Sequence, residues 1–123
     1  MEKILVVDDE VEVTELLEEF LVQSGYQVAT ANSKKSAQAK IGEFQPGIIL
    51  LDIKLPDGDG VQFLKEIKAS YPNIEIIMIT GMADREIALE AIKSGAADYI
   101  CKPIDLAYLA NSVFTKVVTR FSE

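Results

Sequence analysis

Short apolar runs and amphipathic stretches alternate along the whole chain. Ile4 to Val7, the body of the run Lys3 to Val7, contains no polar residue. An unbroken apolar run of this length predicts a strand covered on both faces, as in a parallel sheet. Val13, Leu16, Leu17, Phe20 and Leu21 then recur at helical spacing, and Gly25 suits the left-handed position just past a helix end. Tyr26 to Ala31 predicts a second strand. Ser33 stands where it would cap a second helix running to about Glu43, weakened by Gly42 and by many small residues. After Pro46-Gly47 a third strand is predicted from about Ile48 to Leu51. Beyond a loop at Pro56 to Gly60, the positions Val61, Leu64, Ile67 and Lys68 fit a third helix that must end before Pro72. Ile74 to Thr80 predicts a fourth strand. Asp84 is placed to cap a fourth helix with the stripe Ile87, Ala88, Ala91 and Ile92, ended by Gly95. Asp98 to Cys101 predicts a short fifth strand. Asp105 then caps a last helix carrying Leu106, Leu109, Val113, Val117 and Phe121 on one face.

Strand and helix therefore alternate five times, with connections of a few residues. That order predicts right-handed crossovers, an α/β class, and a (βα)5 doubly wound parallel five-stranded sheet with helices on both faces. The 123 residues suit one domain, read as residues 1–123. Composition changes this picture little: 49% apolar and 26% charged residues describe a globular chain. Charge changes it more. Twelve Lys and Arg against 20 Asp and Glu leave a net charge of -8, which argues against direct nucleic-acid binding by this domain. The lone Cys101 fits a reducing compartment and reads as a small core residue, and the absence of His excludes a histidine base or ligand. The chain opens without a signal-peptide core and has no stretch near the ~18 apolar residues of a membrane span, so no membrane partner and a cytoplasmic location are expected.

In doubly wound sheets the ligand site lies beyond the carboxyl ends of the strands. The first strand ends in Asp8 and Asp9, the third in Asp52, the fourth in Thr80 and the fifth in Lys102. Each alone has an ordinary reading: Asp8-Asp9 as a helix cap, Thr80 as a turn residue, Lys102 as a solvated lysine. Asp57 and Asp59 read as turn formers. Their joint placement at one sheet edge is what points to a site. Three close carboxylates repel unless a cation sits among them. Few, oxygen-only ligands suit Mg²⁺ better than Zn²⁺. A calcium loop is disfavoured, since Val61 and Gln62 occupy the places where one after Asp57 would need an oxygen ligand and a glycine. Carboxylate, hydroxyl and ammonium beside Mg²⁺ suit phosphoryl transfer, with Asp52 as the reacting group.

Asp8-Asp9, the stretch Leu50-Leu51-Asp52-Ile53-Lys54-Leu55-Pro56 with Asp57 to Gly60, Ile79-Thr80-Gly81, and Asp98-Tyr99-Ile100-Cys101-Lys102-Pro103 together resemble a response-regulator receiver domain of bacterial two-component signalling. The resemblance covers essentially the whole chain. It implies a flavodoxin-like fold with strand order 2-1-3-4-5. It implies Asp52 as phosphoacceptor from the phosphohistidine of a sensor histidine kinase or phosphotransfer protein, with acetyl phosphate as a substitute donor. Mg²⁺ would be held by Asp8, Asp9, Asp52 and the backbone carbonyl of Lys54. Lys102 would pair with the phosphoryl group, Thr80 would move to hydrogen-bond it, and Tyr99 would swing inward behind it. The Lys102-Pro103 bond would be cis. The surface of helix 4, strand 5 and helix 5, including Lys93, Tyr99 and Tyr108, would then change and meet a partner, a fused output domain or a second copy in a homodimer. Lys54 and Met82 stand where side chains tune the lifetime of the acyl phosphate.

Such a domain is a switch rather than an enzyme, promoting only its own phosphorylation and dephosphorylation. Three other readings fit the residues less well. An aspartyl phosphatase of the haloacid dehalogenase type needs a second acid two residues after the nucleophile, where Lys54 stands. A flavodoxin-like nucleotide binder must receive phosphate at its first loop, which Asp8-Asp9-Glu10 would repel. An unphosphorylated receiver-like interaction module usually lacks one of the acidic, threonine or lysine positions, and all are present.

Overall fold

The stretches Ile4 to Val7, Ile48 to Leu51 and Ile76 to Thr80 are buried at every position, as strands covered on both faces require. The computed structural model describes residues 2–81 and 84–121. In chain order the elements are β1 (Lys3–Val7), α1 (Val11–Gln23), β2 (Gln27–Ala31), α2 (Lys34–Phe44), β3 (Ile48–Leu51), β4 (Lys54–Leu55), β5 (Gly58–Asp59), α3 (Gly60–Ser70), β6 (Glu75–Thr80), α4 (Arg85–Lys93), β7 (Asp98–Cys101) and α5 (Leu106–Phe121). Five parallel strands form one sheet in the order β2-β1-β3-β6-β7. Since β6 and β7 are its fourth and fifth strands, the expected order 2-1-3-4-5 is what the chain adopts.

Alternation along the strands divides the core into two layers. Leu5, Val7, Ile49, Leu51, Ile76 and Met78 face α2, α3 and α4, meeting Ala37, Ile41, Phe63, Leu64 and Ala91. Ile4, Val6, Leu50, Ile77 and Ile79 face α1 and α5, meeting Leu17, Leu21, Leu109 and Val113. The helix boundaries follow local chemistry. Asp84 accepts from the amides of Glu86 and Ile87, Asp105 from Ala107 and Tyr108, Ser33 from Ser36, and Asp59 from Val61. Gly25 and Gly95 take positive φ, 98° and 109°, just past α1 and α4.

Several positions depart from the sequence expectation. The segment from Lys54 to Asp59, read as a loop, closes an antiparallel hairpin in which Lys54 pairs with Asp59 and Leu55 with Gly58. Cys101 is exposed rather than a core residue, because β7 is an edge strand and only Ile100 within it is fully covered. Leu16 (49% exposed) and Ile92 (48%) lie outside the covered stripes of α1 and α4, and Phe121 (76%) stands at the last described turn of α5. In α1 the inward place beside Leu17 is taken by Thr14, whose hydroxyl donates to the Val11 carbonyl and so is satisfied while buried. Met82 lies outside the described residues.

Gly60 shows how tightly α3 is set against the end of β3. A Cβ there would collide with the Asp52 carbonyl oxygen and lie 2.6 Å from the Ile53 Cα. These are backbone atoms that cannot yield as a side chain would. Gly60→Ala is therefore expected to cost about 2 kcal/mol or more in urea unfolding, with the amide resonances of Asp52 and Ile53 the most displaced.

Candidate functional site

The hydrogen-bond ladder of the sheet carries the predicted residues to one edge. The Asp8 amide donates to Ala31, the Asp52 amide to Val7 and the Lys102 amide to Thr80, so each is fixed one residue beyond its strand. The Lys102–Pro103 peptide bond is cis. Asp8, Asp52 and Thr80 are buried, whereas Asp9 and Glu10 are exposed. A cavity of about 320 Å³ opens among Asp9, Glu10, Asp52, Lys54, Thr80, Gly81 and Lys102.

The Lys102 ammonium holds this edge together. Its Nζ lies 2.8 Å from Asp8 Oδ2, 2.8 Å from Glu10 Oε1 and 3.3 Å from Asp52 Oδ2. Burial alone would pull the ammonium toward the neutral form. The bonds to Asp8 and Glu10 and the charge of Asp52 outweigh it, so the Lys102 pKa stands above its ordinary value. Asp8 shows the opposing balance. Burial pushes its carboxyl up, the bonds from Lys102 and from the Glu10 amide pull it down, and the nearby Asp52 pushes it up again. The net shift is upward. Asp52 Oδ1 accepts from the Lys54 amide at 3.2 Å, which orients one oxygen and leaves Oδ2 toward Lys102.

The structure thus brings together Asp8, Asp9, Asp52, Lys54, Thr80 and Lys102. Tyr99 is not on the cavity wall; it is partly buried against the core layer that faces α2, α3 and α4. Asp8 Oδ1 accepts from the Glu10 amide at 2.9 Å and so turns the chain into α1, but the N-cap of that helix is Glu10 and no side chain caps it, so the cap reading of Asp8 is not what the structure shows. Asp57 and Asp59, read as turn formers, stand outside the site and cap helices. Glu10 is the residue that sequence reasoning passed over. Its signal was a third acid directly after Asp8-Asp9, but only the start of α1 turns it back toward Lys102.

Ligand atoms of Asp8, Asp9, Glu10 and Asp52 lie within 4.8 Å of one another. Four carboxylates and one ammonium leave excess negative charge in a partly dry pocket, and all the donors are hard oxygens. That set fits Mg²⁺.

Fold and site define a flavodoxin-like α/β domain with a lysine-bridged acid pocket at the carboxyl edge of its sheet. The chain belongs to the response regulator receiver domain family, whose pattern it matches over residues 4–114. It is 39% identical over 121 residues to the transcriptional regulatory protein ZraR of Klebsiella oxytoca, covering 98% of this chain and 27% of that protein. It is 36% identical over 102 residues to the chemotaxis protein CheY of Thermotoga maritima, covering 82% of this chain and 85% of that one. Among solved structures, a CheY-like receiver domain protein from Methanospirillum hungatei superposes with a TM-score of 0.94 at 30% identity, covering 99% and 98% of the two chains. The NtrX receiver domain of Brucella abortus gives 0.89 at 37% identity, covering 94% and 98%. The chain spans about a quarter of the length of the regulatory proteins ZraR and AtoC that it matches. No helix among the described residues is long and apolar enough to cross a membrane.

Proposed function

We propose that this domain is a phosphorylation-controlled switch in which Asp52 accepts a phosphoryl group. The observation that carries the reading is the Lys102 ammonium, shared by Asp8, Glu10 and Asp52 at the mouth of a cavity that Thr80 also lines. A carboxylate oxygen of Asp52 attacks the phosphorus of a phosphohistidine or of acetyl phosphate. The bond from phosphorus to the donor breaks, and the donor leaves with that electron pair. Asp8, Asp9, Asp52 and the Lys54 carbonyl would hold Mg²⁺, which supplies positive charge against the phosphoryl oxygens. Lys102 exchanges a carboxylate oxygen for a phosphoryl oxygen, and the Thr80 hydroxyl donates to another.

The output follows from connectivity. Thr80 leads into α4, and Lys102-Pro103 leads into α5, so drawing both inward biases two packings of the α4–β7–α5 face. That face carries Lys93, Tyr99 and Tyr108. It is organised by Asp98, which accepts from the Tyr108 and Ser112 hydroxyls at 3.1 and 2.6 Å. We place there the contact to a partner, a fused output domain or a second copy. The phosphodonor partner is a sensor histidine kinase or phosphotransfer protein in the cytoplasm.

The test is addition of beryllofluoride with Mg²⁺, which mimics the acyl phosphate. Amide resonances of Gly81, Tyr99 and Lys102 are expected to move in the wild type and to stay in place in Asp52→Asn. Silence in both proteins would leave the unphosphorylated interaction module as the better account.

A further inference from the structure

The N-terminus of α2 draws its charge compensation from another part of the chain. The helix opens with Lys34 and Lys35 and has no acidic residue in its first turn, which conflicts with the positive end of its dipole. The first four amides of a helix need outside acceptors. Of the three in α2 that precede its own ladder, the Ser36 amide donates to the Ser33 hydroxyl at 3.0 Å; the ladder begins where the Ala37 amide donates to the Ser33 carbonyl. The other two donate to one carboxylate from the β4–β5 hairpin. The Lys34 amide reaches Asp57 Oδ1 at 2.7 Å, and the Lys35 amide reaches Asp57 Oδ2 at 3.0 Å. Both oxygens are used, and these bonds hold the Asp57 carboxyl below its ordinary range.

The same hairpin forms part of the site. Its base is Lys54, whose amide orients Asp52 and which lines the acid cavity; its tip is Pro56-Asp57. Away from α2 the hairpin borders an open groove of about 1040 Å³, whose wall includes Leu55, Pro56 and Gly58 on one side and Ile87 and Glu90 of α4 on the other. On that side Leu55 is buried in the core layer, but Pro56 and Asp57 at the tip are exposed. On the α2 side Lys34 adds further ties. Its ammonium pairs with Glu66 of α3 at 3.1 Å and sits 5.6 Å over the Phe63 ring, and its stem runs so close to Gly58 that a Cβ there would lie 3.0 Å from the Lys34 Cδ.

We propose that Asp57 is a positioning residue of the acid site: by capping α2 it anchors the hairpin at its tip and so fixes the Lys54 backbone at its base. The inference rests on the switch reading above and deepens it. A helix cap alone needs only a stable α2, whereas an anchor also sets the geometry next to Asp52. The two roles separate in experiment. Ser33→Ala uncaps the same helix from its own side and leaves the hairpin attached. Asp57→Ala uncaps it and also frees the hairpin.

The measurement is Mg²⁺ affinity, by calorimetry or by titration of amide shifts, together with hydrogen exchange of the Lys54 amide in metal-free protein, well below either variant's unfolding temperature. Asp57→Ala is expected to weaken Mg²⁺ binding about tenfold and to speed Lys54 exchange. Ser33→Ala is expected to lower Tm by a comparable amount and to change neither. Asp57→Asn, which keeps one acceptor oxygen, should fall between wild type and Asp57→Ala, and it carries the comparison if the alanine variant does not fold. Equal Mg²⁺ affinity in wild type and the Asp57 variants, or equal weakening in Ser33→Ala, would overturn the proposal. Failure of the wild type itself to bind Mg²⁺ or take up beryllofluoride would instead overturn the reading on which it rests.

Discussion

Asp52→Asn is expected to abolish phosphoryl uptake from acetyl phosphate while leaving the fold intact. The expected loss is at least about a thousandfold in the initial rate of phosphoprotein formation, because a neutral amide oxygen is a poor nucleophile. The structure explains why the fold tolerates the change. The Lys54 amide keeps an acceptor, since asparagine retains one carbonyl oxygen at the place of Asp52 Oδ1. Lys102 keeps Asp8 and Glu10, both at 2.8 Å, and turns toward them and away from the amide NH2 that replaces Oδ2 at 3.3 Å. Removing one carboxylate also relieves Asp8, whose carboxyl Asp52 pushes upward. Tm in the absence of Mg²⁺ should therefore fall by no more than about 2 °C. A larger loss would mean that Asp52 is chiefly structural.

Lys102→Ala has the second large effect, and here both activity and stability fall. The ammonium is the cation that compensates Asp8 and Asp52, whose side chains are 3% and 6% exposed. Breaking a wholly buried pair costs about 3–5 kcal/mol; Lys102 is 17% exposed and Glu10 faces solvent, so about 2–3 kcal/mol is expected. The variant should also depend on pH. Without Lys102, burial and the charge of Asp52 both push Asp8 upward, so the folded protein holds a proton that the unfolded chain releases. The penalty is then absent below the ordinary carboxylate range and grows as pH rises through the raised Asp8 value. Mg²⁺ should restore part of the lost Tm by supplying positive charge to the same oxygens. Phosphorylation should still be slower by about a hundredfold or more, since the phosphoryl group lacks its ammonium partner. Unfolding in EDTA and in Mg²⁺, at pH 4 and at pH 7, checks each part.

Most of the sheet was legible in the chain because its signals are local. Lys3–Val7, Ile48–Leu51 and Asp98–Cys101 begin and end where the apolar runs and their flanking charges place them. Asp84 and Asp105 cap the helices they precede. The strand-end residues Asp8, Asp52, Thr80 and Lys102 were legible for the same reason: in a parallel sheet the carboxyl ends share an edge, so adjacency follows from topology. What was not legible depends on contacts distant in sequence. The β4–β5 hairpin has two residues per strand, too few to show a period. Asp57 looked like a turn residue because the helix it caps lies 23 residues earlier. Glu10 joins the site only when Lys102, 92 residues away, is brought beside it. Cys101 looked internal until β7 proved to be an edge strand.

The claim that Asp52 is the acceptor has a direct chemical test. The protein is incubated with Mg²⁺ and acetyl phosphate, treated with borohydride and digested for peptide mapping by mass spectrometry. Borohydride reduces an aspartyl phosphate to homoserine and leaves free carboxylates unchanged. The account predicts homoserine at position 52 in the wild type and none in Asp52→Asn. Reduction at position 8 or 9 instead, or an unmodified peptide after uptake of phosphate has been shown, would contradict it.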